Sequence, residues 1–81
     1  MKLVFDSEDL ARLPISVDPE VMSGAPVFKG TRVPIDALFG NLAHGVSLEE
    51  FLENFPTVKR EDAQQVIEFA NKSLMALSLA P

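Results

Sequence analysis

Residues 47–70 read SLEEFLENFPTVKREDAQQVIEFA, two amphipathic segments joined by a turn that contains a proline. Ser47 and Glu50 stand three residues apart before an apolar run, the pattern of a capping box at a helix start. Pro56 ends the first segment, and the second begins near the basic pair Lys59–Arg60. The spacing therefore predicts two helices in the order of a helix-turn-helix.

A further helix is predicted upstream of this pair. Pro34 suits its first turn and Gly45 its end, and its apolar residues recur at i, i+3, i+4 and i+7 as Ile35, Leu38, Phe39 and Leu42. The last helix has a longer apolar stripe, formed by Ala63, Val66, Ile67, Ala70, Leu74 and Leu77. Residues 34–81 are thus predicted to form a three-helix unit.

Residues 1–33 have a different character, because breakers interrupt them at short intervals: Pro14, Pro19, Gly24, Pro26 and Gly30. This spacing allows only short strands and turns, predicted at Lys2–Phe5, Ile15–Val17 and Pro26–Phe28. Asp6 or Ser7 is placed to cap a helix of one or two turns through Leu13. The expected fold is α+β and mainly α, with short N-terminal strands before a three-helix, helix-turn-helix-like bundle, in one domain over residues 1–81.

The composition is that of a small acidic globular protein. The chain has 81 residues, a net charge of −5 and no Cys. Residues 34–58 contain four acidic side chains and no Lys or Arg, so the overall basic footprint usual for nucleic-acid binding is missing. The start of the chain shows no apolar signal-peptide core and no run is long enough to span a bilayer, so we expect a cytoplasmic protein without a membrane partner.

Catalytic chemistry has little support in the sequence. His44 is the only His, and beside Gly45 it is expected to interact with the helix end or solvent. One His without Cys does not form the usual zinc sites. Three acidic residues, Glu49, Glu50 and Glu53, are read as a solvated face in preference to a magnesium site. We therefore expect no enzyme activity, no cofactor and no metal.

The start of the last helix holds the candidate DNA-binding residues. In a helix-turn-helix these positions meet base edges, and the side chains available there are Lys59, Arg60, Gln64 and Gln65. Arg suits guanine and Gln suits adenine in the major groove. Glu61 and Asp62 oppose this role because they would approach phosphates. A plain three-helix packing unit with a solvated polar face remains the alternative.

The end of the last helix is apolar over more than one face. Since a unit this small cannot cover all of that surface, we expect it to form an interface, first of all in a homodimer. The residues predicted for this interface are Phe69, Leu74, Met75, Leu77 and Leu79.

A loop motif precedes the helices at Gly30, Thr31 and Arg32. Gly30 is expected to turn the chain with a positive φ, and Arg32 to form a bidentate pair with Asp18 or Glu20. The alternative is a contact of this loop with a phosphate or a partner.

The same loop lies within a longer pattern. Residues 18–34 read DPEVMSGAPVFKGTRVP, followed by GVSLEE at residues 45–50 and FP at residues 55–56. This pattern resembles the signature of a small prokaryotic family catalogued as domain of unknown function 433. In that family an Asp-Pro, a Gly-x-Pro and a Gly-Thr-Arg precede a helix opened by Pro. The resemblance covers roughly residues 15–72.

The resemblance implies a helix-turn-helix-like antitoxin of a type II toxin–antitoxin pair, similar to VapB-type partners of PIN-like ribonucleases. Such a protein neutralises its toxin by direct contact, and often represses its own operon as a dimer. Two residues depart from the family pattern: Ala25 replaces a basic residue, and Lys59 replaces a Ser or Thr cap. The alternatives are a stand-alone helix-turn-helix regulator of transcription and a structural dimer module.

Overall fold

Residues 11–78 are described by a computed structural model, in which two short strands precede three α-helices. The elements, in chain order, are β1 (Ile15–Ser16), a short 3-10 helix (Met22–Gly24), β2 (Val27–Phe28), α1 (Ile35–Ala43), α2 (Leu48–Asn54) and α3 (Arg60–Met75). The α+β, mainly α class predicted from the sequence is confirmed. The predicted strand at Lys2–Phe5 and most of the helix predicted to end at Leu13 lie outside the described residues, as does Leu79.

The two strands form an antiparallel pair that is tied directly to the helices. Ile15 lies opposite Phe28 in the register. On the other side of β2, the Phe28 N–H donates to the Val33 carbonyl and the Ile35 N–H donates to the Pro26 carbonyl, both at 2.9 Å. β2 therefore lies between β1 and the chain that enters α1, which fixes the hairpin against the helical unit.

Local signals in the sequence account for the helix ends. Pro34 is the N-cap of α1, and Gly45 follows that helix with a φ of 86°. At α2 the Ser47 hydroxyl accepts a hydrogen bond from the Glu50 N–H at 3.1 Å, as its capping position predicts. Lys59, the N-cap of α3, makes no side-chain cap, consistent with the Lys in place of a Ser or Thr.

The core lies where β2 meets all three helices. Its buried cluster consists of Phe28, Leu38, Phe51, Val58, Ala63 and Val66. The Phe51 ring lies 6.4 Å from that of Phe28 and 4.8 Å from that of Phe55, measured between centroids. Aromatic contacts in this range join the hairpin to α2, so the strands and helices share one core.

The loop at residues 29–32 closes through Thr31 and not through Arg32. Gly30 has the expected positive φ, 79°. The Thr31 hydroxyl donates to the Phe28 carbonyl at 2.8 Å and accepts from the Val33 N–H at 3.0 Å.

The predicted pair of Arg32 with Asp18 or Glu20 is wrong. Arg32 makes no ion pair with any residue of the described part, and the Asp18 carboxylate instead accepts the Glu20 N–H at 2.9 Å. A short carboxylate next to Pro19 reaches its own turn more readily than a distant guanidinium.

Candidate protein-binding groove

An open groove of about 640 Å³ lies between the hairpin, the first turns of α1 and the C-terminal half of α3. The hairpin side provides Ile15, Ala25 and Pro26, and the α1 side provides Pro34, Ile35, Asp36 and Phe39. The α3 side provides Val66, Phe69, Ala70, Ser73 and Leu74.

The two halves of α3 differ in how far the rest of the described chain covers them. α3 has 16 residues and is about 24 Å long, whereas α1 has nine and is about 14 Å long. Ala63 and Val66, in the first half of α3, are buried in the core. In the second half, Phe69 and Ala70 are only half-buried and Leu74 is exposed.

The groove offers very few polar groups. The Ser73 hydroxyl is already committed, since it donates to the Phe69 carbonyl at 2.8 Å. Asp36 is exposed in the first turn of α1, where a carboxylate complements the helix dipole. Of the lining residues in the described part of the chain, it is the one with a charged side chain, so the groove combines apolar walls with a single negative charge.

The predicted interface residues continue this apolar surface along α3 and into the turn after it, where Leu77 lies because α3 ends at Met75 and not at Leu77 as predicted. Leu74 and Met75 are each 61% exposed and Leu77 is 55% exposed. Phe69 is half-buried in the groove wall. Leu74 belongs both to the groove and to the exposed end of α3, so the apolar surface is continuous from Phe39 to the last turn.

The predicted DNA-binding residues are all exposed at the start of α3, but Arg60 is engaged. Its guanidinium donates to the Glu49 carboxylate at 2.5 Å. The hydrogen bond from Arg60 holds the pKa of Glu49 below its ordinary value, and the same bond raises the pKa of Arg60. A DNA phosphate approaching Arg60 would have to compete with the Glu49 carboxylate. Lys59, in the turn before α3, forms no ion pair with the described residues.

Gln64 and Gln65 lie on different sides of α3, because successive residues of a helix point in different directions. Gln64 lies four residues after Arg60, on the same face of α3. Gln65 lines a smaller hollow of about 210 Å³ together with Arg12, Leu13, Glu68, Phe69 and Lys72. The structure therefore does not bring all four predicted residues to one face.

Residues 11–78 contain no group of three or more His, Asp or Glu side chains able to hold a metal ion. His44 lies at the end of α1, with its Nδ1 atom 2.7 Å from the Gly40 carbonyl oxygen. None of the described helices has the length and apolar character needed to cross a membrane.

Comparison with known proteins agrees with the signature at residues 18–34. The model of the family described as "Protein of unknown function (DUF433)" matches residues 15–70. The chain belongs to this family. A DUF433 member from Anabaena variabilis, known from a crystal structure, superposes with a TM-score of 0.66 at 21% identity, over 90% of this chain and 81% of that one. This similarity supports the fold.

A curated relative is similar in sequence over part of its length. The uncharacterized protein y4eO of Sinorhizobium fredii is 37% identical over 51 residues, which is 63% of this chain. The match spans 23% of that relative, so this chain corresponds to about a quarter of its length.

The groove itself was not predicted from the sequence. Its α3 side was indicated by the apolar surplus at Phe69 and Leu74. Ile15, Pro26 and Asp36, which also line the groove, are far apart in the sequence. No local sequence pattern predicts that they lie together.

Proposed function

We propose that this chain is a non-catalytic antitoxin that binds a PIN-like ribonuclease toxin and blocks it by direct contact. The uncovered apolar groove, continued by the exposed end of α3, carries the proposal. An apolar surface of this extent on a small domain is typical of a protein-binding site. Resemblance to VapB-type antitoxins supplies the class of partner.

The charge of the chain favours a basic partner. The net charge is −5, and residues 34–58 contribute four acids without a Lys or Arg. Arg60, one of the few cations of the helical unit, is paired with Glu49. Opposite charge raises the rate of encounter and selects among partners, and a ribonuclease, which handles a polyanion, is a suitable basic partner.

Co-expression tests the proposal. The product of the neighbouring gene is expressed with this chain or, as the control, with an unrelated acidic protein of similar size. We expect growth to be rescued and the two proteins to co-purify only with this chain. Failure of both rescue and co-purification would remove the antitoxin proposal.

The exposed start of α3 favours a second candidate function, binding to operator DNA as a transcriptional regulator. Lys59 and Gln64 are exposed there, and regulation of its own operon is compatible with an antitoxin role. Replacing Lys59 and Arg60 with Ala should weaken promoter binding and flatten its dependence on salt, because fewer phosphate contacts release fewer counterions.

A matched variant controls this experiment. Arg12→Ala combined with Lys72→Ala removes the same charge from exposed positions away from the start of α3 and should leave the specific binding much less affected. If the Lys59 and Arg60 replacements leave promoter binding intact, the assignment of α3 as a recognition helix is wrong.

A further inference from the structure

We infer that the groove receives an amphipathic helix of the toxin, whose apolar face carries one Lys or Arg that pairs with Asp36. This inference rests on the proposed function and specifies the chemistry of the partner. Helices bind such grooves by inserting apolar side chains spaced about one turn apart.

The lining of the groove favours a protein segment over a small molecule. Pockets for small ligands enclose most of the ligand surface and hold the ligand with a small number of converging polar groups. Here the groove is open, the Ser73 hydroxyl is used by the Phe69 carbonyl, and Asp36 is the one charged group that residues 11–78 place in the lining. Apolar walls with a single charge at one end suit the apolar face of a helix.

The charge at Asp36 determines what that helix must contain. An occupied groove would remove part of the water around this carboxylate, and a carboxylate buried without a partner is strongly destabilised. Within residues 11–78, no other charged group lines the groove. The occupant therefore has to bring the cation itself.

A second copy of this chain is a poorer match for the same reason. A symmetric contact places the same surface on both sides, so each copy would present its own Asp36 and the uncharged lining of α3. Residues 34–58, which form the α1 side, include no Lys or Arg. Two grooves facing each other would hold two carboxylates and no cation.

The first test fills the groove. Ala70→Arg places a long side chain on the groove wall, and Ala43→Arg makes the same substitution at the exposed end of α1, outside the groove lining. With the PIN-like ribonuclease as the titrant in calorimetry, Ala70→Arg should lower the affinity by about 30-fold or more, the loss typical of a central interface position. Ala43→Arg should stay within about threefold of the unmodified protein.

The second test removes the charge. Asp36→Asn should weaken ribonuclease binding by roughly 10-fold at low salt and make the affinity less dependent on salt. Glu53→Gln removes the same charge from the exposed face of α2 and should change the affinity by no more than about twofold. Circular dichroism melts of all four variants separate lost binding from lost folding.

Each result has a distinct meaning. If the unmodified protein does not bind the ribonuclease, the proposed function fails and the inference fails with it. If the ribonuclease binds Ala70→Arg with the same affinity as the unmodified protein, its binding site lies outside the groove. The groove inference is then wrong, while the antitoxin role stands. If Asp36→Asn behaves like Glu53→Gln, the occupant carries no pairing cation.

Sedimentation velocity of the isolated chain provides the remaining outcome. A dimer that Ala70→Arg dissociates, and that Ala43→Arg leaves intact, would show that the groove is occupied by a second copy, which overturns the inference. We expect the sedimentation of these two variants to be the same.

Discussion

The hydrogen bond from Arg60 to Glu49 gives the fold a defined pH dependence. Folding lowers the pKa of Glu49, so the pair stabilises the folded state above the ordinary titration range of a glutamate. That contribution is lost as the pH falls through the lowered pKa. In an NMR titration the Glu49 carboxylate should titrate below the ordinary range, and Arg60→Gln should return it to that range.

Lys59→Gln is the control for this titration. It removes a cation from the adjacent position, where no ion pair is formed with the described residues. If Arg60→Gln and Lys59→Gln raise the pKa of Glu49 equally, the loss of a nearby positive charge explains the shift, and the hydrogen bond from Arg60 does not.

Two glycines of the α1 region should respond to alanine in opposite directions. Gly45 has a φ of 86°, and a Cβ there meets no atom within 4 Å. Gly45→Ala is therefore destabilising by about 1–2 kcal/mol through backbone conformation alone. Gly40 lies inside α1 with equally open surroundings, so Gly40→Ala should stabilise by about 0.5–1 kcal/mol. Urea unfolding measures both, and effects of the same sign would contradict the left-handed conformation at Gly45.

The cap of α2 should matter more than its single hydrogen bond suggests, because this helix has only seven residues. Ser47→Ala removes the acceptor for the Glu50 N–H and should cost about 1 kcal/mol in free energy of unfolding. Ser47→Asp keeps an acceptor and should retain most of the stability. Guanidinium unfolding of the unmodified protein and the two variants measures the difference. If the Ala and Asp variants are equally stable, the cap contributes nothing to stability.

Helices were predictable here because their signals are local. Pro34, Ser47 and Gly45 each act within one turn of their own position, and the structure begins and ends helices beside them. The limits of the strands were predicted less accurately. Ile15–Val17 was predicted, but Val17 is 64% exposed and lies outside β1, since a strand's limit depends on its partner.

Pairings of long polar side chains were not predictable. Arg32 was expected to bind an acid of the first loop, and the ion pair formed instead is that of Arg60 with Glu49, eleven residues apart. Such side chains reach many partners at similar energy. The groove escaped prediction for a related reason, because Ile15, Asp36 and Phe69 meet only after the tertiary fold has formed.

The whole domain leaves apolar surface exposed at the end of α3, and this surface should not be needed for folding of one chain. Leu77 is 55% exposed, so Leu77→Gln should change the unfolding free energy of the dilute protein by less than about 0.5 kcal/mol. Leu38→Ala, in the buried core, should cost about 2–5 kcal/mol.

Melting at increasing protein concentration tests the predicted homodimer. Association stabilises the folded state by mass action, so the Tm of the unmodified protein should rise with concentration, and the Tm of Leu77→Gln should rise less. Identical, concentration-independent melting of the two proteins would remove the predicted dimer contact at this end of α3.

The place of Phe28 limits how far the molecule can be trimmed. This side chain comes from the hairpin but is fully buried beside Phe51 among the helices. A shortened peptide that began at Pro34 would keep α1, α2 and α3 and yet contain a hollow of benzyl size at its centre. Any miniature inhibitor derived from this scaffold must retain the hairpin or refill that hollow with a redesigned side chain.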